Sequence, residues 1–251
     1  MFIRSFKRIS AQDTAAVRRW IFRIMLRFLL TDFICKCDGR HFLTRVKFFP
    51  VENMSLRHSY TLFAPFYDLM IGAATRPARM ASLRALGDAT GQTILVDGVG
   101  TGLDIPLLPS GAHYIGVDYT PAMLRRAREK CIGKNIALHA GDAMALPYAG
   151  DTFDAIIMHL ILAVVPKPQR ALAEAARVLK PGGRIFILDK FLRPGQAAPL
   201  RRLISPLLGQ LATRTDVVFE DLLAGCPQLA VVSDTPAMAQ GWFRFILLQK
   251  I

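Results

Sequence analysis

Long uncharged apolar runs are missing from this 251-residue chain. The nearest approach, residues 20–30, is interrupted by Arg23 and Arg27, so no membrane-spanning helix is expected. Those charges, with no small-residue cleavage site after them, also argue against a signal peptide. Cysteine is scarce: Cys35, Cys37, Cys131 and Cys226 form no C-x-x-C pair. Cys35 and Cys37, with His41 nearby, have the wrong spacing for zinc and lack a second ligand pair, so no metal site is expected. Nothing else implies disulfides, and a reducing cytoplasmic compartment is the natural expectation. Internal repeats and low-complexity runs are absent. Acids are few, 19 against 32 Lys and Arg, for a formal net charge of +13. That excess suits acidic partners, anionic lipid or nucleic acid.

The basic charge is uneven. Residues 1–53 hold 11 Lys/Arg against 4 Asp/Glu, and the remaining 198 residues hold 21 against 15. Ser10 and Asp13 make a capping-box-like helix start. Arg19, Arg23 and Arg27 then recur on one helix face, with Ile21, Phe22, Ile24, Met25, Phe28 and Leu29 over most of the rest. A basic stripe on a strongly apolar helix is what a membrane-surface helix needs. Two other readings stand open: a helix packing on the following domain, and an extension foreign to the natural protein. For the last, Met54 is an alternative start.

The most informative feature is Gly98-x-Gly100-x-Gly102. It follows the apolar run Ile94-Leu95-Val96, and Asp118 ends a second apolar run 16 residues after Gly102. Strand, glycine turn, helix, then a strand ending in an acid is the layout of a nucleotide crevice. The backbone passes close to the ligand and the acid accepts hydrogen bonds from ribose hydroxyls. The third glycine comes one residue too early for a dinucleotide fingerprint, and no phosphate-binding Lys follows. The spacing therefore points to an adenosine ligand without a pyrophosphate.

Around this turn the pattern alternates strands and helices. Helices are expected near Tyr60–Ile71 and Pro77–Leu86, at Thr120 with Pro121 in its first position, and at Pro168–Leu179, with Arg170 and Glu174 at i,i+4. Strands are expected at residues 137–139, at 155–158 as a run buried on both faces, and at Arg184–Leu188 after a turn at Pro181-Gly182-Gly183. Helical segments are expected within Ser205–Leu223. Residues 229–233 and Trp242–Leu248 close the sheet as an antiparallel hairpin at its edge.

The motifs Val96–Gly102, Gly116-Val117-Asp118, Gly141-Asp142-Ala143, Phe153-Asp154 and Arg177–Gly183 fall in the order of the class I S-adenosylmethionine-dependent methyltransferases, which the chain resembles from about Tyr60 onward. Ala64–Asp68 and Val164–Pro168 look like the bacterial phospholipid N-methyltransferases, with the ubiquinone/menaquinone C-methyltransferases next. The resemblance implies an α/β fold. It consists of a Rossmann-like, seven-stranded, mostly parallel sheet with one antiparallel edge strand and helices on both faces, plus the N-terminal helical extension. Residues 54–251 would form the methyltransferase domain, with 54–90 as a helical lid. S-adenosylmethionine is the implied cofactor. A lipid or small-molecule acceptor, an enzyme peripheral on the inner face of an anionic membrane, and no nucleic-acid substrate complete the expectation. One departure stands out. The family acid two residues before the first glycine, which meets the methionine amino group, is Val96 here, and Asp97 follows it. Strand alternation turns Asp97 to the other face. Either the strand end bulges, or backbone carbonyls and another side chain hold the amino group. A degenerate, non-catalytic cofactor site is the third reading left open.

The candidate cofactor residues are Asp97, Gly98, Gly100, Thr101 and Gly102 at the turn, and Asp118 at the ribose or as a helix-capping acid. Tyr119 and Met123 would pack on the ribose or adenine, or, for Met123, in the core. Asp142 resembles the family contact to the adenine amino group, with the Ala143 amide and the Met144 side chain beside it; an ordinary turn Asp is the alternative. His159, just past the fourth strand, is either a general base or a hydrogen-bonded structural residue, and Leu160 would wall the cofactor. Asp189 and Lys190 either touch substrate or pair with each other. Family precedent sets Tyr60 and Tyr67 in the lid against cofactor and acceptor, Tyr67 with a catalytic role. Methyl transfer asks for alignment and water exclusion more than for acid–base machinery, which fits a chain without a catalytic triad.

Overall fold

A computed structural model describes residues 72–195 and 216–251. The basic extension, the Tyr60–Ile71 helix with Tyr60 and Tyr67, and most of the Ser205–Leu223 segment lie outside the described residues.

Seven strands form one sheet: β1 (Thr93–Asp97), β2 (His113–Asp118), β3 (Ile136–Ala140), β4 (Phe153–His159), β5 (Leu179–Lys190), β6 (Leu229–Met238) and β7 (Phe243–Lys250). Their order is β3-β2-β1-β4-β5-β7-β6. The first five run parallel, and β7 is antiparallel to both β5 and β6. The closing hairpin thus sits at the edge as expected, with its reversed strand β7 on the inside and β6 outermost. The chain goes one way from β1 to β2 and β3, and the other way to β4. That reversal opens a crevice beyond the carboxyl ends of β1 and β4.

Strand alternation divides the core into two layers. Leu95, Ile156, Met158 and Ile187 face one side. There they meet Ala171, Leu172 and Ala175 of helix α3 (Pro168–Val178). Ile94, Val96, Ile157 and Phe186 face the other. There they meet Leu83 of helix α1 (Ala73–Arg84) and Ala127 of helix α2 (Pro121–Glu129). Every residue of β4 but Asp154 is buried, as a strand covered on both faces requires. A short helix α4 (Phe219–Leu223) packs Phe219 and Leu222 into the first layer.

Local details differ from the sequence expectations for identifiable reasons. Helix α1 begins at Ala73, one turn before Pro77. Proline tolerated early in a helix marks the neighbourhood of its start, not the starting residue. Pro121 does open α2, but Thr120 makes no side-chain cap; its backbone N–H donates to Asp118 Oδ1 at 2.8 Å. Glu174 pairs with Arg177 at 2.8 Å, not with Arg170, and accepts the Leu146 amide, tying α3 to the loop after β3. The Pro181–Gly183 turn lies inside β5, where pairing with β4 jumps from Phe153↔Leu179 to Ala155↔Arg184. Lys180 reaches Asp154 across that irregularity, and Asp154 also accepts the Thr93 amide at the start of β1. The motif residues Asp154 and Lys180 therefore set strand register, remote from the crevice.

Candidate active site

The crevice has a volume of about 620 Å³. Its floor is the turn after β1. At Gly98 (φ +72°) an added Cβ would lie 2.4 Å from the Ile161 side chain, so only glycine lets β1 pass under the loop that follows β4. Gly100 (φ +55°) differs: an added Cβ would meet nothing closer than 3.9 Å. Its open side belongs to the crevice, which it lines. Gly102 closes the turn against Ala127 of α2, and Thr101 is buried beside it.

Asp118, at the end of β2, faces this floor. Its Oδ2 accepts the Gly100 amide at 2.9 Å and its Oδ1 accepts the Thr120 amide. Two backbone donors fix the carboxylate, and each oxygen keeps a lone pair for a further donor. Burial raises its pKa, and the bonds from Thr120 and Gly100 oppose the rise. Across from it, Asp142 accepts the Met144 amide at 2.8 Å, an Asx turn that leaves its second oxygen uncommitted. Ala143 is buried, while Tyr119 stands exposed at the rim with 57% of its surface accessible. Tyr119, Met123, Asp142, Ala143 and Met144 all line the crevice.

The opposite wall comes from β4 and the loop after it. Leu160 adopts φ +60°, uncommon for a branched side chain, and its amide donates to Leu188 O at 2.8 Å. Val164, Val165 and Pro166 continue this apolar wall up to α3. His159 is 5% exposed, with both ring nitrogens engaged: Nδ1 lies 3.0 Å from Asp104 Oδ1 and Nε2 lies 2.9 Å from Ser82 Oγ. His159 also lines the crevice; acting as a base would require one nitrogen to leave its partner. Asp104 also receives Arg79 Nη1 at 2.7 Å, and Arg79 Nε donates to Thr75. Burial would raise the Asp104 pKa, but His159 and Arg79 beside it hold the carboxyl well below the ordinary carboxylate range.

Asp97 is the outlier. The β1–β2 register runs without a shift through Asp97↔Val117, so the strand end does not bulge. The side chain is 1% exposed, does not line the crevice, and neither carboxylate oxygen makes a well-formed hydrogen bond, the Gly98 amide alone lying near enough to favour the charged form. Burial, with Asp118 and then Asp142 nearby, pushes its pKa up to about 7. A direct contact to cofactor, expected from the sequence, is therefore not what this geometry offers. Asp189 and Lys190 also lie outside the lining. The Asp189 carboxylate is fully buried on the amides of Ala163 and Lys190, holding the loop after β4.

Sequence reasoning missed Arg79, Ser82 and Asp104. A signal was present: Thr75, Arg79 and Ser82 recur at i, i+4 and i+7 on the face of α1 that also buries Ala78 and Leu83. Polar residues on a buried stripe need partners.

A model of the methyltransferase domain matches residues 95–187. A phosphatidylethanolamine N-methyltransferase of Cereibacter sphaeroides is 32% identical over 205 residues, covering 80% of this chain and all of the relative. The chain belongs to the class I S-adenosylmethionine-dependent methyltransferases. A demethylmenaquinone methyltransferase of Clavibacter sepedonicus is 40% identical over 114 residues, 44% of this chain and 46% of that relative. The crystal structure of an S-adenosylmethionine-dependent methyltransferase from Thermotoga maritima shares the fold, with a TM-score of 0.59 over 78% of this chain and all of that one, at 21% identity.

The methyltransferase's crevice fits its cofactor. Gly100 leaves space where a side chain would intrude, and Asp118 presents a fixed carboxylate with spare lone pairs above that space. S-adenosylmethionine supplies a methyl group already activated on a sulfonium. The protein's part is to orient the ligand on this floor and to keep water from the reacting centre with the Leu160–Pro166 wall.

Proposed function

We propose that this methyltransferase methylates the amine of a phospholipid headgroup at a membrane surface. The observation that carries the reading is the match to the phosphatidylethanolamine N-methyltransferase over that relative's whole length. The apolar wall of Leu160, Ile161, Val164 and Val165 suits a lipophilic acceptor, and the net charge of +13 favours anionic bilayers. Within the site, Asp118 binds the ribose hydroxyls and Asp142 takes the adenine amino group, beside the Ala143 amide. Tyr119, Met123, Met144 and Leu160 enclose the adenosine. By the family resemblance, Tyr60 is assigned to the cofactor and Tyr67 to the acceptor amine. His159 positions Asp104 and Ser82, and the acceptor amine reaches its neutral form through desolvation.

Incubation with methyl-labelled cofactor and vesicles of phosphatidylethanolamine and anionic lipid is expected to label the headgroup. Absence of transfer to any lipid would sink the proposal. The second reading, a quinone precursor, draws support from the demethylmenaquinone methyltransferase match, and label migrating with quinones would decide for it. Residues 1–53 are proposed as the membrane-contact segment. A chain lacking them is expected to bind cofactor as before and vesicles more weakly.

A further inference from the structure

Val96 removes the acid that would meet the cofactor's amino group, and Asp97 does not replace it. The methionyl end of the ligand then needs another anchor. The crevice is polarised across the sheet. Asp118 and Asp142 stand over β2 and β3, where an adenosine is expected, so the amino-acid tail extends over β1 and β4 toward His159.

At that end stands Arg79, the one Lys or Arg among the described residues lining the crevice. It is 5% exposed and held rigidly, Nε on Thr75 and Nη1 on Asp104. No described residue accepts a hydrogen bond from its Nη2. A buried guanidinium with two nitrogens fixed and one uncommitted, on the wall of a ligand crevice, is a preorganised oxyanion site. Asp104 orients it, and His159 on the other oxygen of Asp104 braces the pair.

We infer that Arg79 binds the carboxylate of the cofactor's methionyl tail and so anchors the end of the ligand that the acid replaced by Val96 would have met. This rests on the cofactor assignment and not on the identity of the methyl acceptor.

The test uses ligand binding alone, by calorimetry on the full chain. S-adenosylhomocysteine would be compared with its decarboxylated analogue, its deaminated analogue and 5′-methylthioadenosine, which lacks the tail. Loss of the carboxylate is expected to weaken binding by about 10- to 100-fold, the range for a hydrogen bond to a charged group, and loss of the amino group by much less. Arg79→Gln should bind S-adenosylhomocysteine as weakly as the wild type binds the decarboxylated analogue, and should leave 5′-methylthioadenosine affinity unchanged. Arg79→Lys, which keeps the ion pair with Asp104, should fall between. The wild-type series needs no variant to fold. A decarboxylated ligand that binds as tightly as the parent, or a variant that weakens every ligand equally, overturns the inference. So does an Arg79→Gln enzyme with normal S-adenosylhomocysteine affinity but a raised KM for a phosphate-bearing acceptor, since the oxyanion would then belong to the acceptor.

Discussion

The Asp118 carboxylate accepts the Gly100 amide at 2.9 Å, joining the end of β2 to the middle of the glycine turn. One side chain thus shapes the cradle, and in the proposed site it also accepts from the ribose. Asp118→Ala is expected to weaken S-adenosylhomocysteine binding by about 1–3 kcal/mol, the cost of losing buried hydrogen bonds to a charged group. Asp118→Asn, whose NH2 would face either the Gly100 or the Thr120 amide donor, should weaken binding as well. Calorimetric titration checks both; an unchanged dissociation constant for the alanine variant would mean that the ribose lies elsewhere.

Two glycines of the same turn should fail differently. In Gly98→Ala the new methyl would overlap Ile161, so the fold should lose about 1–3 kcal/mol in urea unfolding. In Gly100→Ala the methyl enters open crevice. There the fold should lose only about 1 kcal/mol for the left-handed backbone, while cofactor affinity drops by tenfold or more. Equal stability losses with equal binding would place the cofactor away from the turn.

Asp97 gives stability a pH dependence of defined sign. Its carboxyl titrates near pH 7 in the fold and near 3.8 when exposed. Between those values the unfolded chain has released the proton and the folded chain still holds it, so stability falls as pH rises and levels off above about 7. The full loss is on the order of 4 kcal/mol. Asp97→Asn should be about as stable as wild type near pH 4 and progressively more stable up to pH 7. A gap that stays constant with pH would show the carboxylate to be paired.

His159 is bonded through both nitrogens, and a residue so held should matter to architecture more than to proton transfer. His159→Ala leaves Ser82 and Asp104 short of partners and is expected to cost about 2–4 kcal/mol of stability. The shape of the kcat/KM against pH profile should persist in whatever activity remains. An acidic limb that vanishes with the imidazole would restore it as the general base.

Much of this was legible in the chain. The continuous apolar run of β4 showed burial on both faces because no alternation interrupted it. The glycine turn, Asp118 and Asp142 could be brought to one crevice from the sequence because their spacing is local and the crevice lies at strand ends. The Asp104–Arg79–His159 cluster was not, since its members are 25 and 55 residues apart and meet only when α1 folds across the turn. Asp97 shows the same limit. Alternation gave its face correctly, but its burial beside Asp118 and Asp142 depends on strands that meet only in the fold.

The reversal of β7 carries a practical corollary. Phe243 pairs with Lys190, beside the ends of the parallel strands, and Gln249 pairs with Arg184, toward their beginnings. Lys250 and its neighbours therefore lie on the rim opposite the crevice, where a labelled side chain would not obstruct entry.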